Sequence, residues 1–155
     1  MRVNIDEIKE GGLQRAWDLA TEAVDEMVKG DNAGYRAKSP LHVDARLTRM
    51  ERRVLFEGHA RAMLAAPCGR CLSPAEVEVP VDIQMSFVPD EEVRTRGEDA
   101  EDDRPNTRVR RKFAAEAVNE ETYSGKVIDL DPVVREQLLL ALPGYPVCQD
   151  GCKGL

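Results

Sequence analysis

Three long runs of this chain alternate apolar and polar residues with a period of two. In LHVDARL the apolar phase is Leu41, Val43, Ala45 and Leu47; in RVLFEGHARAMLA it is Val54, Phe56, Gly58, Ala60, Ala62 and Leu64. In AEVEVPVDIQMSF it is Val77, Val79, Val81, Ile83, Met85 and Phe87. Alternation of that length predicts strands with one buried and one wet face, as in an antiparallel sheet. Pro80 falls on the polar phase of the third run, where its missing N–H suits an edge or a bulge. The turn between the second and third runs reads CGRC, which places Cys68 and Cys71 at a hairpin tip.

Flanking segments switch period. Val3 and Ile5 alternate with Asn4 and Asp6 as in a short strand, interrupted by Gly11 and Gly12. Over residues 14–29 the apolar positions Trp17, Ala20, Val24, Met27 and Val28 recur at helical spacing, with Gly30 as the stop. Near the C-terminus Val127, Ile128 and Leu130 make a strand. Asp131 and Pro132 then read as an N-cap and first turn. PVVREQLLLAL follows as a helix with Val134, Leu138, Ala141 and Leu142 on one face, ended by Pro143 and Gly144. The expected architecture is a single α+β domain over 1–155: an antiparallel sheet of about four to five strands packed with two main helices. Residues 90–122, dense in charge and poor in aliphatics, read as a flexible excursion.

Composition narrows the function classes. Of 155 residues 42% are hydrophobic and only 5% aromatic, so the core is aliphatic and extended base-stacking platforms are disfavoured. No run approaches the roughly 18 apolar residues of a membrane span. MRVNIDEIKE has no signal-peptide core. A cytoplasmic location without membrane partners is expected. The net charge of −7 argues against a simple basic nucleic-acid binder, and no DNA partner is expected. The charge is nevertheless segregated. Residues 35–71 carry eight Lys/Arg against three acids, 90–103 carry eight acids against two Arg, and RPNTRVRRK adds five basic residues.

The chemistry-bearing residues are few. Cys68-x-x-Cys71 and Cys148-x-x-x-Cys152 are two close pairs, each on a turn-rich segment. Four soft ligands on two flexible turns suit tetrahedral zinc, which would pin the tail to the hairpin tip. Free thiols, a disulfide or redox use of the CxxC stay open. A thioredoxin-like dithiol is disfavoured because Ser73-Pro74 leads into a strand rather than a helix. His42 and His59 sit on strands as solvent-facing or hydrogen-bonded residues, Asp131 is engaged as a cap beside Asp129, and no phosphate loop or Gly-x-Ser-x-Gly is present. Arg46, Arg49, Arg52, Arg53, Arg61 and Arg70 are either a solvated sheet face or a phosphate-contacting patch.

Two blocks carry a resemblance. CGRCL at the hairpin and YSGKVIDLDPVVREQLLLALPGYPVCQDGCKGL at the C-terminus resemble the YceD family of large ribosomal RNA subunit accumulation proteins. The resemblance implies a non-enzymatic bacterial factor that supports accumulation or processing of large-subunit ribosomal RNA. It also implies that Cys68, Cys71, Cys148 and Cys152 occupy the family's cysteine positions. The partners it implies are that RNA, its precursor particle, or a large-subunit ribosomal protein. Arg46, Arg49, Arg52, Arg53, Arg70, Arg108, Arg110 and Arg111 are then the candidate RNA contacts. A thiol-disulfide oxidoreductase using Cys68 and Cys71 is the alternative, and an adaptor docking a basic ribosomal protein through the acidic residues around 98–103 is a third.

Overall fold

The computed structural model describes residues 1–93 and 119–155. The three alternating runs are the long strands β4 (Leu41–Met50), β5 (Arg53–Pro67) and β6 (Pro74–Pro89). Their apolar phases are buried, apart from a half-buried Val77. Before them come β1 (Arg2–Asn4), a 3₁₀ turn (Ile5–Glu7), β2 (Leu13–Leu19), helix α1 (Thr21–Val28) and β3 (Arg36–Ala37). After them come β7 (Glu120–Tyr123), β8 (Val127–Asp129) and helix α2 (Asp131–Ala141). The main sheet runs β2-β4-β5-β6-β7 with β3 also on β5, and β1 and β8 form a separate pair. The expected α+β class holds. Among the described residues, no helix is long and apolar enough to cross a membrane.

The segment 14–29 corrects the helical expectation. Residues 13–19 are a strand, with Leu13, Arg15, Trp17 and Leu19 half-buried in alternation, and only 21–28 are helical. Of the expected helical set only Trp17 lies in the strand, on the half-buried phase of Leu13, Arg15 and Leu19, so sheet pairing with β4 set the period there. The second difference is β7: it lies inside the charged stretch and pairs parallel with β6, Ser86 opposite Glu120 and Pro89 opposite Tyr123. Most of the expected excursion, residues 94–118, lies outside the described residues. A parallel neighbour needs a crossover of a dozen or more residues, which the length of chain between 89 and 120 supplies. Because β7 covers β6 only from Ser86 onward, Pro80 lies on a stretch of β6 with no described neighbour on that side. That placement matches its missing donor.

The chain divides into two compact units. The first comprises Met1–Gln14, Arg46–Glu57 and Gln84–Leu130. There β1 and β8 pair antiparallel, Val3 opposite Ile128, and Phe56 meets Phe87 edge-on with ring centroids 6.4 Å apart. Each of these two rings contributes about 2–3 kcal/mol by leaving water. The Tyr123 hydroxyl donates to the Arg52 carbonyl at 2.6 Å, fixing β7.

The second unit comprises Arg15–Ala45, Gly58–Ile83 and Asp131–Leu155. Val24, Met27 and Val28 of α1 and Val133, Val134 and Leu138 of α2 are buried. The expected face of α2 is right at Val134 and Leu138, whereas Ala141 is exposed and Leu142 half-buried as the last turn leaves the core. The helix starts at Asp131 itself, an acid in the first turn where the helix dipole favours one. After the helix, Pro143 presents its carbonyl to the Tyr35 hydroxyl at 2.8 Å. From there the chain turns toward the tip of the β5–β6 hairpin.

Candidate metal centre

Six residues, 68–73, join β5 to β6, too few for a crossover, so the two strands form a hairpin. The Cys68 N–H donates to the Ser73 carbonyl at 2.8 Å and the Leu72 N–H to the Cys68 carbonyl at 2.9 Å. This closure puts Leu72 at φ 62°, in the left-handed region. It also turns the Arg70 amide onto Cys68 Sγ at 3.4 Å. On the tail, the Cys152 N–H donates to the Gln149 carbonyl at 3.2 Å, folding Cys148 and Cys152 into their own turn.

The four sulfurs converge. Cys68, Cys71, Cys148 and Cys152 offer Sγ atoms that all lie within 4.8 Å of one another. Cys68 Sγ is 3.9 Å from Cys152 Sγ, and Cys71 Sγ is 3.6 Å from Cys148 Sγ. Both contacts are far beyond a disulfide bond of about 2.0 Å. All four residues are free thiols. A tetrahedron with zinc–sulfur bonds of about 2.3 Å has edges of about 3.8 Å. The donor set therefore fits a zinc-sized cation in number, softness and spacing. Both of these contacts run between the hairpin pair and the tail pair, so a shared ion would join the two segments. Cys68 and Cys152 are buried with Ala75, and Val147 packs beside them.

The surroundings favour thiolates on the hairpin side. Backbone amides of Cys71 and Arg70 pull the Cys68 thiol down to about 6, and the Ser73 hydroxyl and amide lower Cys71. Cys148, sharing a hydrogen bond with the Cys71 sulfur, is pushed up to about 12. A soft cation would displace that shared proton, because the thiolate is the ligand form.

Other contacts hold the tail without metal. The Gly69 N–H donates to the Pro146 carbonyl at 2.9 Å, the Tyr145 hydroxyl to the Gly69 carbonyl at 2.6 Å, and Arg70 Nη1 to the Cys152 carbonyl at 2.8 Å. A Cβ on Gly69 would sit 2.4 Å from Tyr145 Cε2, so the glycine is required by the ring. Sequence reasoning missed Gly69 and Tyr145 as partners. The available signal was an aromatic in the Pro-Gly-Tyr-Pro turn just ahead of Cys148, with no long-range pattern to pair it.

The candidate arginines fall in two places. Arg46, Arg49, Arg52 and Arg53 belong to the first unit and Arg70 to the second. Arg52 pairs with Glu91 at 2.8 Å, and Arg53 pairs with Glu92 at 2.9 Å and Glu120 at 3.2 Å. Arg46 and Arg49 are exposed and, among the described residues, have no acid partner; Arg49 Nε donates to the Glu51 carbonyl. Arg108, Arg110 and Arg111, and the acids around 98–103, lie outside the described residues. His42 is held between Asp18 at 2.5 Å and Asp44 at 3.1 Å, and His59 by Asp82 at 2.5 Å. Both are surface hydrogen-bonded histidines, as their strand phase predicted.

A β-sheet whose hairpin tip and clasped C-terminal tail bring four thiols together defines an α+β protein with a tetrathiol centre compatible with zinc. The chain belongs to the YceD family: the family model described as large ribosomal RNA subunit accumulation protein YceD matches residues 56–155. That family is described by a role in ribosomal RNA accumulation rather than by a reaction. The match includes all four cysteines and Arg70 and begins after Arg53. No curated protein and no solved structure matches the chain.

Proposed function

We propose that this chain is a non-enzymatic, cytoplasmic factor that supports accumulation of large-subunit ribosomal RNA by binding the RNA or its precursor particle. The family match over residues 56–155 carries this reading. Structural zinc on Cys68, Cys71, Cys148 and Cys152 locks the tail to the hairpin. Arg46 and Arg49 meet phosphates, because exposed guanidinium groups without acid partners lose least on desolvation. Arg52 and Arg53 are held by Glu91, Glu92 and Glu120, so they contact RNA only by exchanging those partners.

The test is co-sedimentation of the zinc-loaded protein with precursor large subunits. Wild-type protein is expected in the particle fraction, and Arg46→Ala with Arg49→Ala is expected to flatten the salt dependence by about two phosphate contacts. Absence from the particle fraction at low salt refutes the reading. The oxidoreductase alternative draws on the depressed Cys68 thiol. Against it, Cys68 makes its close sulfur contact with Cys152, across the two segments. One bound zinc per chain and no disulfide reductase activity dismiss it.

A further inference from the structure

All three tyrosines donate their hydroxyls to backbone carbonyls, Tyr35 to Pro143, Tyr123 to Arg52 and Tyr145 to Gly69. Tyr35 and Tyr123 bury their rings, whereas Tyr145 is 60% exposed. Its ring is nonetheless fixed on a second side, since Cδ2, Cε2 and Cζ lie 2.4–2.8 Å from where a Cβ on Gly69 would be. Immobilising a side chain costs rotamer entropy, which burial of the ring ordinarily offsets. At Tyr145 that compensation is partial, and what the tip gains is a rigid aromatic face open to solvent.

The same two segments, hairpin tip and tail, carry two cations. Arg70 commits one guanidinium N–H to the Cys152 carbonyl and keeps the rest of its five-donor fork. Lys153 follows Cys152 and is exposed, and Gly154 comes against the Arg70 carbonyl. Residues 68–74 and 145–155 together hold these two cations and one acid, Asp150, in a chain of net −7. Leu72, 68% exposed, occupies a left-handed conformation that glycine would adopt without strain. A bulky side chain kept outward at such a position is the signature of a contact surface.

We propose that this tip docks an unpaired nucleotide of large-subunit ribosomal RNA, its base stacked on Tyr145 and its flanking phosphates held by Arg70 and Lys153. The inference rests on the RNA reading above and names the residues that contact the base. A preformed aromatic flanked by cations is the recognition chemistry of unpaired RNA. A protein pocket would draw chiefly on Leu72 and give the flanking cations no counterpart.

The experiment uses full-length, zinc-loaded protein and a labelled single-stranded RNA oligonucleotide, with the same sequence as a duplex for comparison. Single strands are expected to bind more tightly, and ultraviolet crosslinking to mark Tyr145. Tyr145→Leu is expected to weaken binding about 5- to 150-fold, while Tyr145→Phe keeps the ring and most of the affinity. Lys153→Gln, at an exposed position, is expected to lower the salt slope by about one. Unchanged affinity in Tyr145→Leu that retains its zinc overturns the proposal. So does a Tyr145-dependent particle association with no oligonucleotide binding, which would indicate a protein partner. Normal co-sedimentation of Tyr145→Leu, lost in the Arg46 and Arg49 variant, would overturn this site and leave the broader reading standing.

Discussion

Replacing Gly69 by alanine isolates the metal-independent part of the tail clasp. The added methyl would lie 2.4 Å from Tyr145 Cε2 and 2.6 Å from Cζ. Carbon–carbon contacts settle at about 3.5–4.0 Å, so the ring must retreat by about 1.1 Å or more. The hydroxyl cannot then keep its 2.6 Å bond to the Gly69 carbonyl. Losing that bond costs about 1 kcal/mol, and the displaced ring contact adds about 1 kcal/mol more. About 2 kcal/mol in a chain of this size lowers the melting temperature by about 4–8 °C. Circular dichroism melts of Gly69→Ala, Tyr145→Leu and the double variant, each checked for zinc, measure it. If the methyl acts through the ring, the double variant is no less stable than Tyr145→Leu alone. Losses that add would refute the contact as the cause, as would a melting temperature equal to wild type.

Two further outcomes follow from the same geometry. Protein purified without chelator is expected to carry one zinc per chain; Cys68→Ser or Cys152→Ser should lose it, lower the melting temperature and open residues 145–155 to protease. Identical melts with and without chelator would rule out a structural ion. His42, hydrogen-bonded to Asp18 and facing Asp44, has its pKa raised. Its stabilisation is therefore present in full below about pH 6.5 and is lost as pH rises through the higher folded value. The melting-temperature gap between wild type and His42→Asn should be wider at about pH 5.5 than at about pH 8.5; a gap that grows with pH would contradict the pairing.

The parts of this structure that were legible in the sequence are those encoded by period. Strands β4 to β6 bury one long apolar phase each, and a slip of one residue would expose it, so Leu41, Phe56 and Ile83 announce their face locally. Segment 14–29 was illegible because a strand of half-buried residues followed at once by a two-turn helix mixes both periods. The parallel partner of β6 was hidden for a different reason: Glu120 to Tyr123 carries almost no apolar signal, and its pairing is backbone hydrogen bonding. At the site, sulfur chemistry singled out the four cysteines, since few residue types ligate soft metals. The Gly69–Tyr145 contact is a matter of shape across 76 residues. Nothing in either local stretch encodes it.

On the proposed reading, the division between local and global charge constrains how the chain would meet RNA. At net −7 the chain as a whole is repelled by a polyanion. That repulsion reaches about one Debye length, roughly 8 Å at physiological salt. A binder of this sign gains little from long-range steering, so its affinity must come from contacts made at close range. Raising salt screens the unfavourable bulk field while weakening the few phosphate contacts, and the two trends oppose each other. The overall salt dependence of binding should consequently be shallow, far from the steep slope of a basic RNA binder. Short-range, salt-insensitive stacking on Tyr145 then adds about 1–3 kcal/mol that charge does not supply, with Arg70 and Lys153 aligning the strand rather than attracting it. A hairpin tip and tail joined at four convergent thiols suits that task, because stacking rewards a rigid surface and is indifferent to net charge.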